Sequence, residues 1–308
     1  MPDNHRMTRR KGLRTALAAA LVVPVLGSVP AASAARTARA ARPLRRARPP
    51  RHPLDVMTFN LRFASTKEPH SWAVRRPVMR ELLCRAAPHV LGTQEGLYQQ
   101  LRDIDADLGP HYEWIGTGRE GGSHDESTAV YYDTRRLVPV EHDTFWLSDT
   151  PKVIGSNTWG AAFPRVATWV RFRDRRDGGE FVVLNTHFDH ASQSAREHSA
   201  ALLALRAAEF APLPFLLTGD FNAAAHGNPA YDVLLASGLT DTWDTAAERG
   251  PLYATFHGYR PLVPGGDRID WILATRGVGV HRASVDTFSR GGQFPSDHLP
   301  VRVSLTLG

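Results

Sequence analysis

Side chains that can bind metal ions or move protons follow directly after apolar runs in this sequence. In FLLTGDFNAA, residues 215–224, the run Phe215-Leu216-Leu217 predicts a strand buried on both faces, and Asp220 and Asn222 come soon after it. Alternate residues of an extended chain share a face, so the acid and the amide would point at one spot. Such a pair can orient a water molecule and accept its proton, although Gly-Asp and Asn are also ordinary turn residues.

Four other predicted strands carry the same kinds of side chain at one end. Asn60 closes the first strand and Glu95 the second, His187 lies in NTHFD after a third, and Asp297-His298 comes just before the last strand. One end of the strands commonly forms a shared cleft in such folds, so we expect these groups to converge. Taken one by one, each motif is also compatible with a turn, a helix entry, a strand-end cap or a buried structural histidine.

The residue types favour phosphate chemistry with a hard cation. Asn60, Glu95 and Asp297 offer oxygen ligands, which suit Mg²⁺ or Mn²⁺ and are poor ligands for zinc. An ion held by few protein oxygens keeps positions open for phosphate oxygens. His187 and His298 could place positive charge against the transition state. Because neighbours on an extended chain point apart, we expect Asp297 to pair with His187 or with a metal ion, and not with His298.

About eleven strands and four helices are predicted to position these groups. The helices are expected at residues 77–87, 97–109, 194–210 and 230–238. Eleven strands are too many for one parallel sheet with helices on both faces. We therefore predict an α/β fold, a four-layer α/β/β/α sandwich of two mixed, mainly antiparallel sheets. No linker or shift in composition divides residues 54–308, which we predict to be one catalytic domain.

The N-terminal part of the chain has the character of an export signal. In residues 1–34, basic residues precede the apolar run 16–26, which is too short to span a bilayer, and Ala32-Ser33-Ala34 offers a signal-peptide cleavage site. TRRKGLR, residues 8–14, also resembles a twin-arginine signal. Residues 35–53 hold seven Arg and no acid, which predicts a disordered basic arm. We expect a secreted or extracytoplasmic protein, cleaved near Ala34, with no transmembrane segment in the mature form.

The positive charge of the chain lies in these two N-terminal segments. They hold 12 of the 37 Lys and Arg residues and one of the 31 acidic residues, so residues 54–308 carry 25 basic against 30 acidic side chains. The net charge of +6 is therefore no argument for nucleic-acid binding by the folded domain. Cys84 is the single cysteine, which excludes an intramolecular disulfide.

Six short motifs, taken in order, resemble those of one enzyme family. TFNLR, GTQEG, NTHFDH, TGDFNA, DRIDWI and SDHLPV are similar to the motifs of the endonuclease/exonuclease/phosphatase superfamily, in particular a secreted bacterial branch with a deoxyribonuclease-like fold. The resemblance covers roughly residues 54–308. It implies an α/β/β/α sandwich and Mg²⁺-dependent hydrolysis of a phosphate ester. It also implies site roles: metal-site residues (Asn60, Glu95), a water-activating acid (Asp220), a phosphate or water anchor (Asn222), and transition-state histidines, one of them oriented by Asp297 (His187, His298).

The same resemblance implies a second group of substrate contacts. Arg119 in GTGREGGSHDES and Arg165 in FPRVATW become candidate phosphate contacts. Glu126 becomes a candidate partner that orients His187. For Asp270 in DRIDWI we expect a structural hydrogen-bonding role.

The sequence thus predicts an exported phosphoester hydrolase that uses Mg²⁺ or Mn²⁺. A phosphodiesterase or nuclease is the first expectation; the alternatives are a phosphomonoesterase or a phospholipid-headgroup diesterase. A non-catalytic binding module of the same fold is a further alternative, but it predicts at least one lost catalytic residue, and all seven from Asn60 to His298 are present. The expected partner is a phosphate-ester substrate, with nucleic acid as one candidate, and the protein is expected to be a monomer.

Overall fold

The computed structural model describes residues 52–308. The predicted signal peptide, residues 1–34, and the predicted basic arm up to residue 51 lie outside the described residues. The last two residues of the arm, His52 and Pro53, belong to the folded domain. The Arg136 guanidinium donates hydrogen bonds to both of their carbonyl oxygens.

Thirteen strands and five helices form the described part of the chain. The strands are β1 (Leu54–Asn60), β2 (Val90–Gly96), β3 (Tyr112–Ile115), β4 (Ser127–Asp133), β5 (Leu137–Trp146), β6 (Val166–Asp174), β7 (Glu180–His187), β8 (Phe215–Asp220), β9 (Leu239–Asp241), β10 (Glu248–Arg249), β11 (Asp270–Thr275), β12 (Gly279–Val285) and β13 (Val301–Thr306). The helices are α1 (Trp72–Ala86), α2 (Tyr98–Leu108), α3 (Gln193–Glu209), α4 (Pro229–Ala236) and α5 (Thr242–Thr245).

The strands form two mixed sheets, which confirms the predicted fold class. The seven-stranded sheet has the order β10-β12-β13-β1-β2-β4-β3, and the six-stranded sheet has the order β5-β6-β7-β8-β11-β9. One apolar cluster lies between the sheets and includes Val56, Val183 and Leu216. A second cluster joins the seven-stranded sheet to α1 and α2, and a third joins the six-stranded sheet to α3 and α4. The layers therefore run helix, sheet, sheet, helix.

Strand β8 shows why its apolar run is continuous. Leu216 faces the cluster between the sheets, whereas Phe215 and Leu217 face the cluster under α3 and α4. Successive side chains of a strand point to opposite faces, so a strand covered on both faces needs apolar residues at every position. The prediction that this strand is buried on both faces is confirmed.

The topology brings the chemically active strand ends to one end of the sandwich. β1 and β2 are parallel, and so are β7 and β8, so their carboxyl ends lie at a common edge of each sheet. β11 runs antiparallel to β8 and starts at that same edge, with Asp270 paired opposite Asp220. β13 runs antiparallel to β1, so the loop before it reaches the same end.

The four predicted helices are present, with one boundary shifted. Helix α1 begins at Trp72, five residues before the predicted start at Pro77, because the Ser71 hydroxyl caps it by accepting from the Val74 N–H. Strands β9 and β10 and helix α5 have four residues or fewer and were not predicted. Among residues 52–308, no helix is long and apolar enough to cross a membrane.

Candidate active site

All ten candidate residues from the sequence lie together at this end of the sandwich. A pocket of about 280 Å³ is lined by nine of them: Glu95, Arg119, Glu126, Arg165, His187, Asp220, Asn222, Asp297 and His298. The tenth, Asn60, is fully buried and bonds two of the lining carboxylates. Strands from both sheets contribute, so the site depends on the packing of the two sheets against each other.

Asn60 joins the two sheets through its side-chain amide. Its Nδ2 donates to Glu95 Oε1 at 2.9 Å in its own sheet and to Asp220 Oδ2 at 2.8 Å in the other sheet. Its Oδ1 accepts from the Arg62 N–H at 2.9 Å. The amide therefore holds two carboxylates side by side, and its oxygen already has a donor. Its predicted role as a direct metal ligand stays a prediction.

Glu95 reaches the site because the backbone of β2 departs from a regular strand. The register with β4 shifts between Thr93 and Gly96, and Glu95 has a φ of 62°, which is unusual for a residue with a side chain. Glu95 Oε2 accepts from the Phe63 N–H at 3.2 Å. A residue held in a strained backbone region at a site is an observation that favours a functional role.

A polar layer beneath these residues fixes the distance between the sheets. Asn185 donates to the carbonyl oxygens of Thr93 and Ala129, at 2.7 and 3.0 Å, across the interface. Its Oδ1 accepts from Gln94 at 2.7 Å and from Thr218 at 3.1 Å. These buried bonds hold the strand ends above them in place.

Asp220 is buried and lies at the centre of the cluster. Its Oδ1 accepts from the Asn222 N–H at 2.9 Å. Burial is the main cause that raises the pKa of the Asp220 carboxyl to about 7; the Asp270 charge adds to it, and His298 and the bond from Asn60 oppose it. A carboxyl with this pKa can accept a proton near neutral pH.

His298 lies between two carboxylates. Its Nδ1 bonds Asp270 Oδ2 at 3.0 Å, and its Nε2 is 3.8 Å from Asp220 Oδ2. Burial lowers the pKa of this imidazole, but Asp270 and Asp220 outweigh it and raise the pKa to about 10. His298 is therefore a fixed positive charge beside Asp220.

This geometry corrects the sequence interpretation of Asp297. Its carboxylate forms an ion pair with Arg62 and pairs with neither His187 nor His298; its role at a metal site stays a prediction. Asp270, for which we expected a structural hydrogen-bonding role, bonds the His298 imidazole and orients it. The physical reason is the register of β11 against β8, which places Asp270 opposite Asp220 and within reach of the imidazole.

The surroundings of His187 disfavour the positive charge that we expected from the sequence. Its Nε2 lies 3.1 Å from Asn222 Nδ2 and 3.6 Å from Asp220 Oδ2. Burial first, and then the charge of Arg165, hold the pKa of His187 well below its usual value. Asn222 itself has a φ of 48°, and its Nδ2 also lies 3.1 Å from the Phe188 carbonyl oxygen.

Arg119 and Arg165 lie in the same pocket and are almost fully buried, at 7% and 5% exposure. Arg165 Nε lies 3.4 Å from Asp189. Arg119 and Glu126 share one loop, and Arg119 donates to Glu126 Oε2 at 2.9 Å. Among the described residues no hydrogen bond joins Glu126 to His187, so the orienting role of Glu126 stays a prediction.

Arg75 holds two loops of the site together and was not predicted. It is fully buried, and its guanidinium donates to the carbonyl oxygens of Leu61, Arg62 and Phe63 on one side and of Pro295 on the other. The first loop follows β1 and the second leads into Asp297-His298. No short motif signals this role, because the bonds go to backbone oxygens.

The donor set fits a hard divalent cation. Ligand atoms of Glu95, Asp220 and His298 lie within 4.8 Å of one another. His298 has carboxylates at both ring nitrogens, so Glu95 and Asp220 are the groups that would hold the ion, chiefly through oxygen. Few protein oxygens and an open pocket are what Mg²⁺ and Mn²⁺ require, since these ions keep several waters.

The two-sheet sandwich thus carries at one end a cluster of carboxylates, amides and histidines that could hold a divalent metal ion. The sequence model of the Endonuclease/Exonuclease/phosphatase family matches residues 57–298. The chain belongs to this family, whose members are phosphoesterases.

Solved structures of similar proteins support the assignment. A family protein from Bacteroides thetaiotaomicron is 34% identical, with a TM-score of 0.79 over 84% of this chain and 99% of that chain. A mannosyl-6-phosphatase from Bacteroides thetaiotaomicron is 35% identical, with a TM-score of 0.77 over 82% of this chain and 99% of that chain. The human Nocturnin catalytic domain, at 19% identity and a TM-score of 0.66 over 84% of this chain and 96% of that chain, shares the fold. No curated protein sequence matches the chain.

Proposed function

We propose that this protein is an exported, metal-dependent phosphomonoesterase. The observation that carries the proposal is the pair of buried arginines, Arg119 and Arg165, in a pocket of about 280 Å³ that also contains Asp220 and His298. Planar guanidinium groups in a small pocket suit a terminal phosphate with several free oxygens. A phosphodiester has only two such oxygens and needs room for two substituents.

The cations of the pocket are all held by acids of the protein. Arg62, Arg119, Arg165 and His298 line it, and each forms an ion pair with at least one carboxylate. Positively charged groups that are fixed in a small pocket can bond the oxygens of a phosphate group.

In this proposal each group of the site has a task. Asp220 would orient the attacking water and accept its proton, because its carboxylate is fixed by Asn60 and by the Asn222 N–H. His298 would offset charge that develops on the phosphoryl oxygens. Arg165 and Arg119 would hold the phosphate in place. A bound Mg²⁺ or Mn²⁺ would polarise the phosphoryl oxygens and neutralise part of their charge.

A nuclease, the first expectation from the sequence, has less support. Residues 54–308 carry more acidic than basic side chains, and strong binding to a nucleic-acid backbone needs several Lys or Arg contacts. The similar mannosyl-6-phosphatase supports a monoester substrate, and a sugar phosphate is the first compound to test. Export rests on the signal-like residues 1–34.

Phosphate release from a substrate panel tests the proposal. The purified protein, with Mg²⁺ and then with a chelator, is given hexose 6-phosphates, glycerol 3-phosphate, a 5′-nucleotide, duplex DNA and RNA. We expect Mg²⁺-dependent phosphate release from monoesters and no cleavage of either nucleic acid. If DNA or RNA is cleaved with a higher kcat/KM than that for any monoester, the protein is a phosphodiesterase instead.

A further inference from the structure

Three phenylalanine rings are exposed in the described part of the chain, and all three line the active-site pocket. Phe63, Phe163 and Phe256 are 41%, 44% and 52% exposed, respectively. They come from three different loops: after β1, before β6 and before β11. Exposed rings gathered around one polar pocket, when the rest of the described phenylalanines are at least partly buried, indicate a binding surface.

Each of the three phenylalanines contacts a residue of the site, Phe163 and Phe256 through the ring and Phe63 through its backbone N–H. Phe163 lies over the Arg119 guanidinium, 4.5 Å from ring centre to Cζ. Phe256 packs against the His298 imidazole with 5.0 Å between ring centres. The Phe63 N–H donates to Glu95 Oε2 at 3.2 Å. Since Arg119 and His298 are proposed to contact the phosphate, rings that lie against them would face the part of the substrate next to the phosphate.

His190 adds a hydrogen-bond donor to this rim. Its Nδ1 lies 3.1 Å from an Nη of Arg165, and its ring centre lies 6.1 Å from that of Phe163. A guanidinium can only donate, so Nδ1 accepts and the proton of the neutral ring is on Nε2. His190 lines the pocket and is exposed, so this Nε2–H is available to a ligand.

We propose that Phe63, Phe163, Phe256 and His190 form the subsite for the alcohol part of the substrate, and that this alcohol is a pyranose sugar. The inference rests on the proposed phosphomonoesterase function. A pyranose has apolar C–H faces that pack on aromatic rings and hydroxyl oxygens that accept from a donor such as His190. In a 5′-nucleotide the ribose separates the flat base from the phosphorus. The base would therefore lie beyond the rings that contact Arg119 and His298.

A leaving-group series tests the subsite with the full purified chain. The measured quantity is kcat/KM for glucose 6-phosphate and mannose 6-phosphate, divided by kcat/KM for glycerol 3-phosphate, which has no ring. The variants are Phe63→Ala, Phe163→Ala and Phe256→Ala. Leu205→Ala is the matched control, because Leu205 is an exposed apolar residue of α3, at 66% exposure, that does not line the pocket.

We expect the sugar preference to fall about three- to tenfold for each ring removed, mainly through KM, and to be unchanged in the Leu205 control. His190→Leu should lower the preference as well, and His190→Gln should restore part of it, because Gln can accept from Arg165 and still donate. Melting curves show whether each variant is folded.

Two results would overturn the proposal. One is a sugar preference that stays within twofold of wild type in all three ring variants. The other is a wild-type preference for a 5′-nucleotide over both hexose phosphates, lost on removal of the rings. In either case monoester hydrolysis still stands, whereas wild-type protein that releases phosphate from no monoester refutes the proposed function itself.

Discussion

Replacing Asp220 by Asn separates the contribution of this carboxylate to catalysis from the stability that its buried charge costs the folded protein. Asp220 is 1% exposed and accepts from Asn60 and from the Asn222 N–H. The substitution keeps the size and the Oδ1 bond but removes the charge and the base. It also places an NH₂ group where Oδ2 faced the Asn60 amide. Activity and stability are therefore expected to change in different directions.

The expected loss of activity is large. A general base contributes about 10²–10⁴-fold, which corresponds to about 3–5 kcal/mol of transition-state stabilisation. If the GDFN segment were only a turn, the substitution would be nearly silent, because Asn is as good a turn residue as Asp.

The expected change in stability has the opposite sign. Burial and Asp270 raise the pKa of Asp220 from 3.8 to about 7, so the folded protein binds more protons than the unfolded chain in that interval. The contribution of Asp220 to the stability of the wild type therefore falls as the pH rises from about 4 to about 7, by at most about 4 kcal/mol. The donor conflict at Asn60 offsets about 1–3 kcal/mol of this gain in the variant.

The assay compares kcat for phosphate release with melting curves recorded in chelator, since a bound ion would stabilise the wild type. Asp241→Asn is the matched control. Asp241 is also buried, at 2% exposure, but it pairs with Arg268 outside the pocket. We expect this control to melt several degrees lower with kcat near wild type, because it breaks a buried ion pair.

The reasoning would be refuted by an Asp220→Asn variant with kcat within threefold of wild type. It would also be refuted if the variant were inactive only because it is unfolded at the assay temperature. A third contradiction is a melting temperature in chelator that lies below that of wild type at pH 8 by as much as the Asp241→Asn control.

Two further predictions concern the same site, and a third concerns the N-terminal arm. Chelation should abolish activity, and Mg²⁺ or Mn²⁺ should restore it. The Glu95→Gln variant should need at least about tenfold more Mg²⁺ for half of its maximal activity. Full activity after chelation and dialysis would contradict this prediction. Arg165→Gln should raise KM for a monoester about ten- to hundredfold, with Arg165→Lys intermediate; an unchanged KM would remove Arg165 from the phosphate site. Deleting residues 35–51 should leave turnover of a small monoester unchanged and abolish any salt-sensitive binding to polyanions. Residues 52 and 53 are kept because Arg136 bonds their carbonyl oxygens. A tenfold loss of turnover would place the arm in the site.

Long, regular elements were predictable from the sequence because their pattern is local. The four longer helices and eleven strands follow from local apolar patterns, such as the continuous apolar run of β8, in which every residue is buried. Strand β10 has two residues and helix α5 has four, too few for a period to be read. The strand-end residues converge as predicted, since the order of parallel and antiparallel strands places those ends together.

The partners of the charged side chains were not predictable, because they depend on long-range register and side-chain conformation. Asp297 forms an ion pair with Arg62, which is 235 residues away in the sequence, and His298 bonds Asp270 because β11 pairs with β8. Both partners lie within the motifs TFNLR and DRIDWI, so the motifs marked the right segments. The sequence does not show which of several similar acidic and basic side chains pair with each other.

The most direct test of the central claim uses two esters of one alcohol. With Mg²⁺ present, kcat/KM is measured for 4-nitrophenyl phosphate and for bis(4-nitrophenyl) phosphate, in wild type and in Arg165→Gln. The account predicts a wild-type preference for the monoester of at least about tenfold, reduced in the variant, because the proposed phosphate contact of Arg165 would be stronger with a dianion that has three free oxygens than with a monoanion that has two. A wild-type preference for the diester, or an equal preference in both proteins, would contradict it.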